Sequence, residues 1–90
     1  MVSNVFLVLQ ANEESRPIVE AILADNPGAV INEQPAMIKI DVPGRLVLRR
    51  ASVEELIGRP YDLQEMQVSL VTLSGHVDET DDEFTLTWNA

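Results

Sequence analysis

The residues best suited to chemistry gather in one stretch. His76 is the only histidine, and Asp78, Glu79, Asp81 and Asp82 follow closely behind it. As a metal site the stretch lacks donors, because zinc sites draw on several His or Cys ligands and this chain has no cysteine. As a calcium loop it lacks the fixed acid offsets, the central glycine and the closing glutamate of an EF-hand. A solvated acidic loop accounts for it. Ser69 and Ser74 are the serines nearest His76 in sequence, but no G-x-S-x-G elbow surrounds either. A small hydrolase or isomerase using His76 with nearby carboxylates is therefore the enzymatic alternative, with no motif behind it. The glycines Gly28, Gly44, Gly58 and Gly75 are scattered, so no phosphate-binding loop exists. Glu13-Glu14 and Glu54-Glu55 fall in or beside expected helix first turns, where acids complement the helix dipole. No catalytic, cofactor-binding or metal-binding residue emerges.

Two features point outward instead. Lys39, Arg45 and Arg49, with Arg50, form the one basic cluster in an acidic chain. Surface pairing with acids such as Asp41 or Glu54 explains it in the ordinary case. As a recognition face, Lys39, Arg45 and Arg49 are the candidate partner-binding residues, since arginine is enriched at interfaces. Trp88 alternates with Phe84 and Leu86 and is expected in the core. An exposed Trp88 would instead act as a partner anchor.

These residues need a scaffold. Val5 to Leu9 is an apolar run of strand length. Ser15 is the expected N-cap of a helix, because Pro17 then falls in the first turn, where its missing N–H costs no intrahelical bond. Asn12 is the other candidate cap, but it places Pro17 too deep. Ile18, Val19, Ile22 and Leu23 form the apolar stripe, and Asp25-Asn26-Pro27-Gly28 ends the helix. Ala29-Val30-Ile31 reads as a short strand, with Gln34-Pro35-Ala36 as the turn that follows. Met37 to Val42 alternates, with Ile38, Ile40 and Val42 on one face. Pro43-Gly44 has the residue types of a tight turn, and Arg45 to Arg50 alternates again, so the flanking strands read as a hairpin. Ser52 and Glu55 match a capping box, with Gly58 placed as the C′ residue of the same helix. Leu63 to Met66 allows a short turn, Gln67 to Leu73 a strand, Ser74 to Glu83 a polar loop, and Phe84 to Trp88 a final strand.

The class is α+β, mainly antiparallel sheet with two or three helices. A strand-helix-strand-strand pattern occurs twice, over about residues 4–42 and 45–89. The 90 residues suffice for one domain, 1–90, with a modest core. Six basic against fifteen acidic residues give a net charge of −9. That balance disfavours nucleic acid and anionic lipid, which need a basic footprint. No apolar run reaches the roughly 20 residues of a membrane span. Met1-Val2-Ser3-Asn4 carries no positive charge ahead of Val5–Leu9, so a secretory signal is not expected, and the absence of cysteine fits the cytoplasm.

The order of short words along the chain carries more. Val5 to Glu14, Arg16 to Pro27, Ile38 to Asp41, Pro43 to Leu46, Glu54 to Gly58, Tyr61 to Glu65 and Leu73 to Gly75 together resemble the regulatory (effector, or coupling) proteins of bacterial multicomponent phenol hydroxylases. The similarity spans nearly the whole chain. It implies a cofactor-free, non-catalytic subunit that binds the diiron hydroxylase component of the same monooxygenase and promotes coupled hydroxylation of an aromatic substrate. It transfers no catalytic motif. A generic acidic adaptor is the remaining alternative, and an open sheet edge offers the free protein a route to a homodimer.

Overall fold

The computed structural model describes residues 4–88, so the leader reading at Met1–Ser3 and the last position of the second half lie outside it. In chain order the elements are β1 (Asn4–Gln10), α1 (Arg16–Asp25), β2 (Val30–Gln34), β3 (Met37–Pro43), β4 (Arg45–Arg49), α2 (Arg50–Ile57), a 3-10 helix (Leu63–Val68), β5 (Leu70–Ser74), β6 (His76–Glu79) and β7 (Glu83–Thr87). The strands form two antiparallel sheets, ordered β2-β3-β1-β5 and β4-β7-β6. This is the expected α+β class. β5 belongs to the second half of the chain but pairs with β1 of the first.

Alternation builds the core. Val5, Leu7 and Leu9 of β1 face Val42, Ile40 and Ile38 of β3. Leu46 and Leu48 of β4 face Leu86 and Phe84 of β7. Except for the half-buried Ile38, all are buried, and Ile18, Val19, Ala21 and Ile22 of α1 and Val53 of α2 close over them. α1 packs on both α2 and β4. At about 25 cal/mol per Å² of apolar surface removed from water, this burial is the main force holding the fold.

Pro43-Gly44 is not a hairpin turn. β3 pairs with β1 and β2, whereas β4 pairs with β7. Gly44, at φ +73°, instead bends one ribbon from the first sheet into the second. The alternation stays in phase through the bend: Ile40, Val42, Leu46 and Leu48 are buried, while Lys39, Asp41, Arg45, Val47 and Arg49 lie on the other side. Gly75, at φ +110°, carries β5 of the first sheet into β6 of the second in the same way. The hairpins are β2–β3, closed at Pro35-Ala36, and β6–β7.

Helix starts also differ in part from expectation. Ser15 precedes α1, and its carbonyl accepts from Val19 N–H at 3.0 Å, as Pro17 requires. Its hydroxyl is turned back to Asn12, accepting from Asn12 N–H at 3.2 Å, while Asn12 Oδ1 accepts from Ser15 N–H at 2.9 Å. Asn12 thus caps the turn that leads into α1, whereas Ser15 holds the N-cap position of α1 without a side-chain cap bond. α2 begins at Arg50, two residues before Ser52, because Asp82 O accepts the Arg50 N–H at 2.8 Å. The Ser52–Glu55 capping box therefore does not form, and Ser52 Oγ donates to Asp25 Oδ2 on α1. Glu54 and Glu55 fall beyond the first turn, and Glu54 accepts from Tyr61 N–H at 2.8 Å. The capping box of this region is Asp62–Glu65, at the head of the 3-10 helix. Gly58 ends α2 in the left-handed conformation, as expected.

Two further readings are corrected. Gln67 and Val68 belong to the 3-10 helix, and β5 starts only at Leu70. The Ser74–Glu83 loop contains β6, an edge strand exposed at all four residues. Among the described residues, no helix is long and apolar enough to cross a membrane.

Candidate functional site

The side chains with catalytic potential are kept apart. His76 is exposed on edge strand β6, opposite Thr87. Ser74 Oγ accepts from Phe6 N–H at 3.2 Å, and Ser69 is buried. The hydrogen bonds and ion pairs of the described residues bring neither a serine nor a carboxylate to His76. Among the described residues, no three His, Asp or Glu side chains converge as a metal site would need. Glu79 receives a hydrogen bond from Gln64 Nε2, and Asp82 accepts from Arg50 at 2.8 Å, so two of the acids near His76 tie elements together.

The phenol of Tyr61, the only tyrosine, is pushed up to about 12, first by burial and then by the neighbouring Glu65 carboxylate. Burial favours the neutral form. The sign follows from linkage: the stabilisation of the neutral phenol is present below about pH 10 and is lost as pH rises through about 12. An ultraviolet titration should show no phenolate in the native protein until near that value. Ionisation near pH 10 would mean Tyr61 is not packed as described.

What the fold does assemble is an outward surface. On the face of the first sheet turned away from the core, Phe6, Val8 and Lys39 lie side by side on β1 and β3, with Val8 buried and Phe6 and Lys39 half-buried. Lys39 Nζ sits 4.7 Å from the centre of the Phe6 ring and 3.7 Å from Asp41 Oδ1. A cation held over an aromatic face and beside a carboxylate is pre-positioned. Lys39 does not face Arg45 and Arg49 across a hairpin, since they occupy different sheets. The three share instead the outer side of the bent β3–β4 ribbon. Arg49 Nε lies 3.4 Å from Glu83 Oε2, and Arg50 pairs with Asp82 and Glu54. Arg45 is exposed and has no carboxylate partner among the described residues. Trp88, expected in the core, is 52% exposed just past the end of β7. Its alternation with Phe84 and Leu86 runs beyond the last rung that a neighbouring strand covers.

The two-sheet α+β scaffold is that of a known family: the chain belongs to the MmoB/DmpM family, whose pattern matches residues 3–87. It is 50% identical over 88 residues to the phenol 2-monooxygenase stimulatory component DmpM of Pseudomonas sp. strain CF600, covering 98% of each chain. It is similar to a chain in a solved phenol hydroxylase–regulatory protein complex, with a TM-score of 0.93, 47% identity and coverage of 97% of this chain and 100% of that one. The soluble methane monooxygenase regulatory protein B shares the fold, with a TM-score of 0.74 at 23% identity, covering 96% of this chain and 65% of that one.

Proposed function

We propose that this chain is the non-catalytic regulatory component of a phenol hydroxylase-type monooxygenase and acts by binding its hydroxylase. The observation that carries the reading is the end-to-end 50% identity to a phenol monooxygenase stimulatory component. A small binding protein can change a larger enzyme only by preferring one of its conformations, and the shift equals the difference in affinity. Seated over the hydroxylase, it also excludes water from the reacting site. The chain resides with its hydroxylase in the cytoplasm.

The contact surface we assign is the outer side of the β3–β4 ribbon, with Lys39, Arg45 and Arg49 as its cations and Phe6 as its apolar neighbour. Three cations on one side of a chain of net charge −9 fix how it approaches a partner. Replacing each by glutamate should weaken hydroxylase binding, measured by calorimetry. Arg45→Glu should have the largest effect, roughly tenfold, because Lys39 and Arg49 already hold carboxylates. Equal binding by all three variants would remove this surface from the account.

Co-elution of the purified chain with its hydroxylase on gel filtration tests the reading itself, and separate elution at micromolar concentrations would overturn it. β2 lies at the edge of its sheet, where two free copies could pair. The same column, run on the chain alone, reports that homodimer.

A further inference from the structure

Trp88 combines an exposed ring with a backbone fixed in place. Phe84 and Leu86 of the preceding β7 are 1% and 0% exposed, whereas Trp88 stands 52% in solvent. Its backbone N–H donates to Gly44 O at 2.9 Å, which pins it against the bend of the β3–β4 ribbon. Arg45 follows Gly44 directly and sits opposite Thr87, the residue before Trp88. A large aromatic and an arginine are therefore held at one corner by main-chain hydrogen bonds rather than by a loop. Such a corner loses little conformational entropy on binding.

Charge narrows the partner. Among the described residues the other five cations are each matched: Arg16 with Glu13, Lys39 with Asp41, Arg49 with Glu83, Arg50 with Glu54 and Asp82, and Arg59 with Glu65. Arg45 is the exception, in a chain with fifteen acidic residues. No carboxylate of the described residues complements it, and one on another molecule would. A second copy of this chain is disfavoured, because it brings a charge of −9 against −9. Tryptophan and arginine are also the residue types that dominate binding energy where they enter desolvated pockets.

We infer that the Gly44 corner is the anchor by which this chain holds its hydroxylase. Trp88 enters an apolar socket, and Arg45 meets a carboxylate at the socket's rim. The inference rests on the regulatory reading above and adds a specific point of attachment to it.

Trp88 is the only tryptophan, so incorporation of fluorotryptophan gives the chain a single fluorine NMR resonance, whatever tryptophans the hydroxylase contains. On addition of hydroxylase that resonance should shift and broaden, and its sensitivity to heavy water should disappear as the ring is desolvated. Trp88→Ala should weaken binding roughly 30-fold, and Trp88→Phe should recover most of the loss. Circular dichroism of the variants checks that they fold, and the labelled parent chain needs no substitution. A resonance unchanged in a complex that co-elutes overturns the anchor while leaving the regulatory reading intact. A resonance that shifts with the chain's own concentration, without hydroxylase, overturns it in favour of self-association. Failure to co-elute overturns both readings.

Discussion

Gly75→Ala is expected to cost about 3–5 kcal/mol, a large share of the roughly 5–13 kcal/mol that a 90-residue domain has in total. Two terms add. Gly75 sits at φ +110°, outside the region that side chains tolerate. A Cβ there would lie 2.9 Å from Cγ1 of Val5 and 3.0 Å from the Thr87 carbonyl oxygen. Val5 is fully buried and Thr87 is held in the β4–β7–β6 ladder, so neither neighbour can move away cheaply. Gly58→Ala is the control. Its φ is +72°, but nothing lies within 4 Å of the added Cβ, so the cost should be only about 1 kcal/mol. Urea unfolding followed by circular dichroism checks both. If the two alanine variants were equally stable, the two sheets would not meet at Gly75 as described.

Asn26→Asp should be almost as damaging at neutral pH, by about 3–5 kcal/mol, and much less so in acid. Asn26 is 6% exposed and behaves as a substitute strand along the free edge of β4. Its amide nitrogen donates to the carbonyls of Val47 and Ile22 at 2.7 Å each, and its carbonyl accepts the Val47 N–H at 2.9 Å. A carboxylate in that place would face two carbonyl oxygens, so its folded-state pKa must rise above the usual ~3.9. Holding the acid protonated at pH 7 limits the ionisation penalty to about 4 kcal/mol, and losing one of two donated bonds adds about 1 kcal/mol. A raised pKa gives stability that is present below ~3.9 and lost as pH climbs toward the folded value. Urea midpoints against the parent at pH 4 and pH 7 should therefore diverge as pH rises. A constant difference would mean that Asn26 is not the clamp of this edge.

The elements with strong local signals were legible. β3 and β4 alternate in burial as their sequences alternate, β1 is the continuous apolar run of a buried strand, and α1 has its proline and its stop in place. The alternation even predicts which side of β3 and β4 faces the core. Partner choice was not legible, because Pro43-Gly44 carries the chemistry of a hairpin turn while β4 finds its partner in β7, far along the chain. The buried contact of Leu46 and Leu48 with Leu86 and Phe84 outweighs the local turn preference. Likewise Ser52-x-x-Glu55 and Asp62-x-x-Glu65 both match the capping pattern, and only the second is used. The Arg50 N–H is already satisfied by Asp82 O, which lets α2 start earlier than its apparent cap. β6 left no signal, since a fully exposed edge strand needs no inward alternation. Trp88 misled because its alternation continues past the end of the sheet. The contact proposed for Lys39, Arg45 and Arg49 would depend on a surface that belongs to another protein, so residue type alone nominates them and goes no further.

As the regulatory component of a phenol hydroxylase, this protein should raise the share of oxygen that its hydroxylase turns into product, and one titration decides the matter. Purified hydroxylase and reductase are supplied with phenol, and hydroxylated product per oxygen consumed is followed as this chain is added. The ratio should rise and reach a saturable optimum near the concentration at which the complex forms. A ratio that stays flat across that range, with a hydroxylase shown to be competent, would contradict the regulatory function.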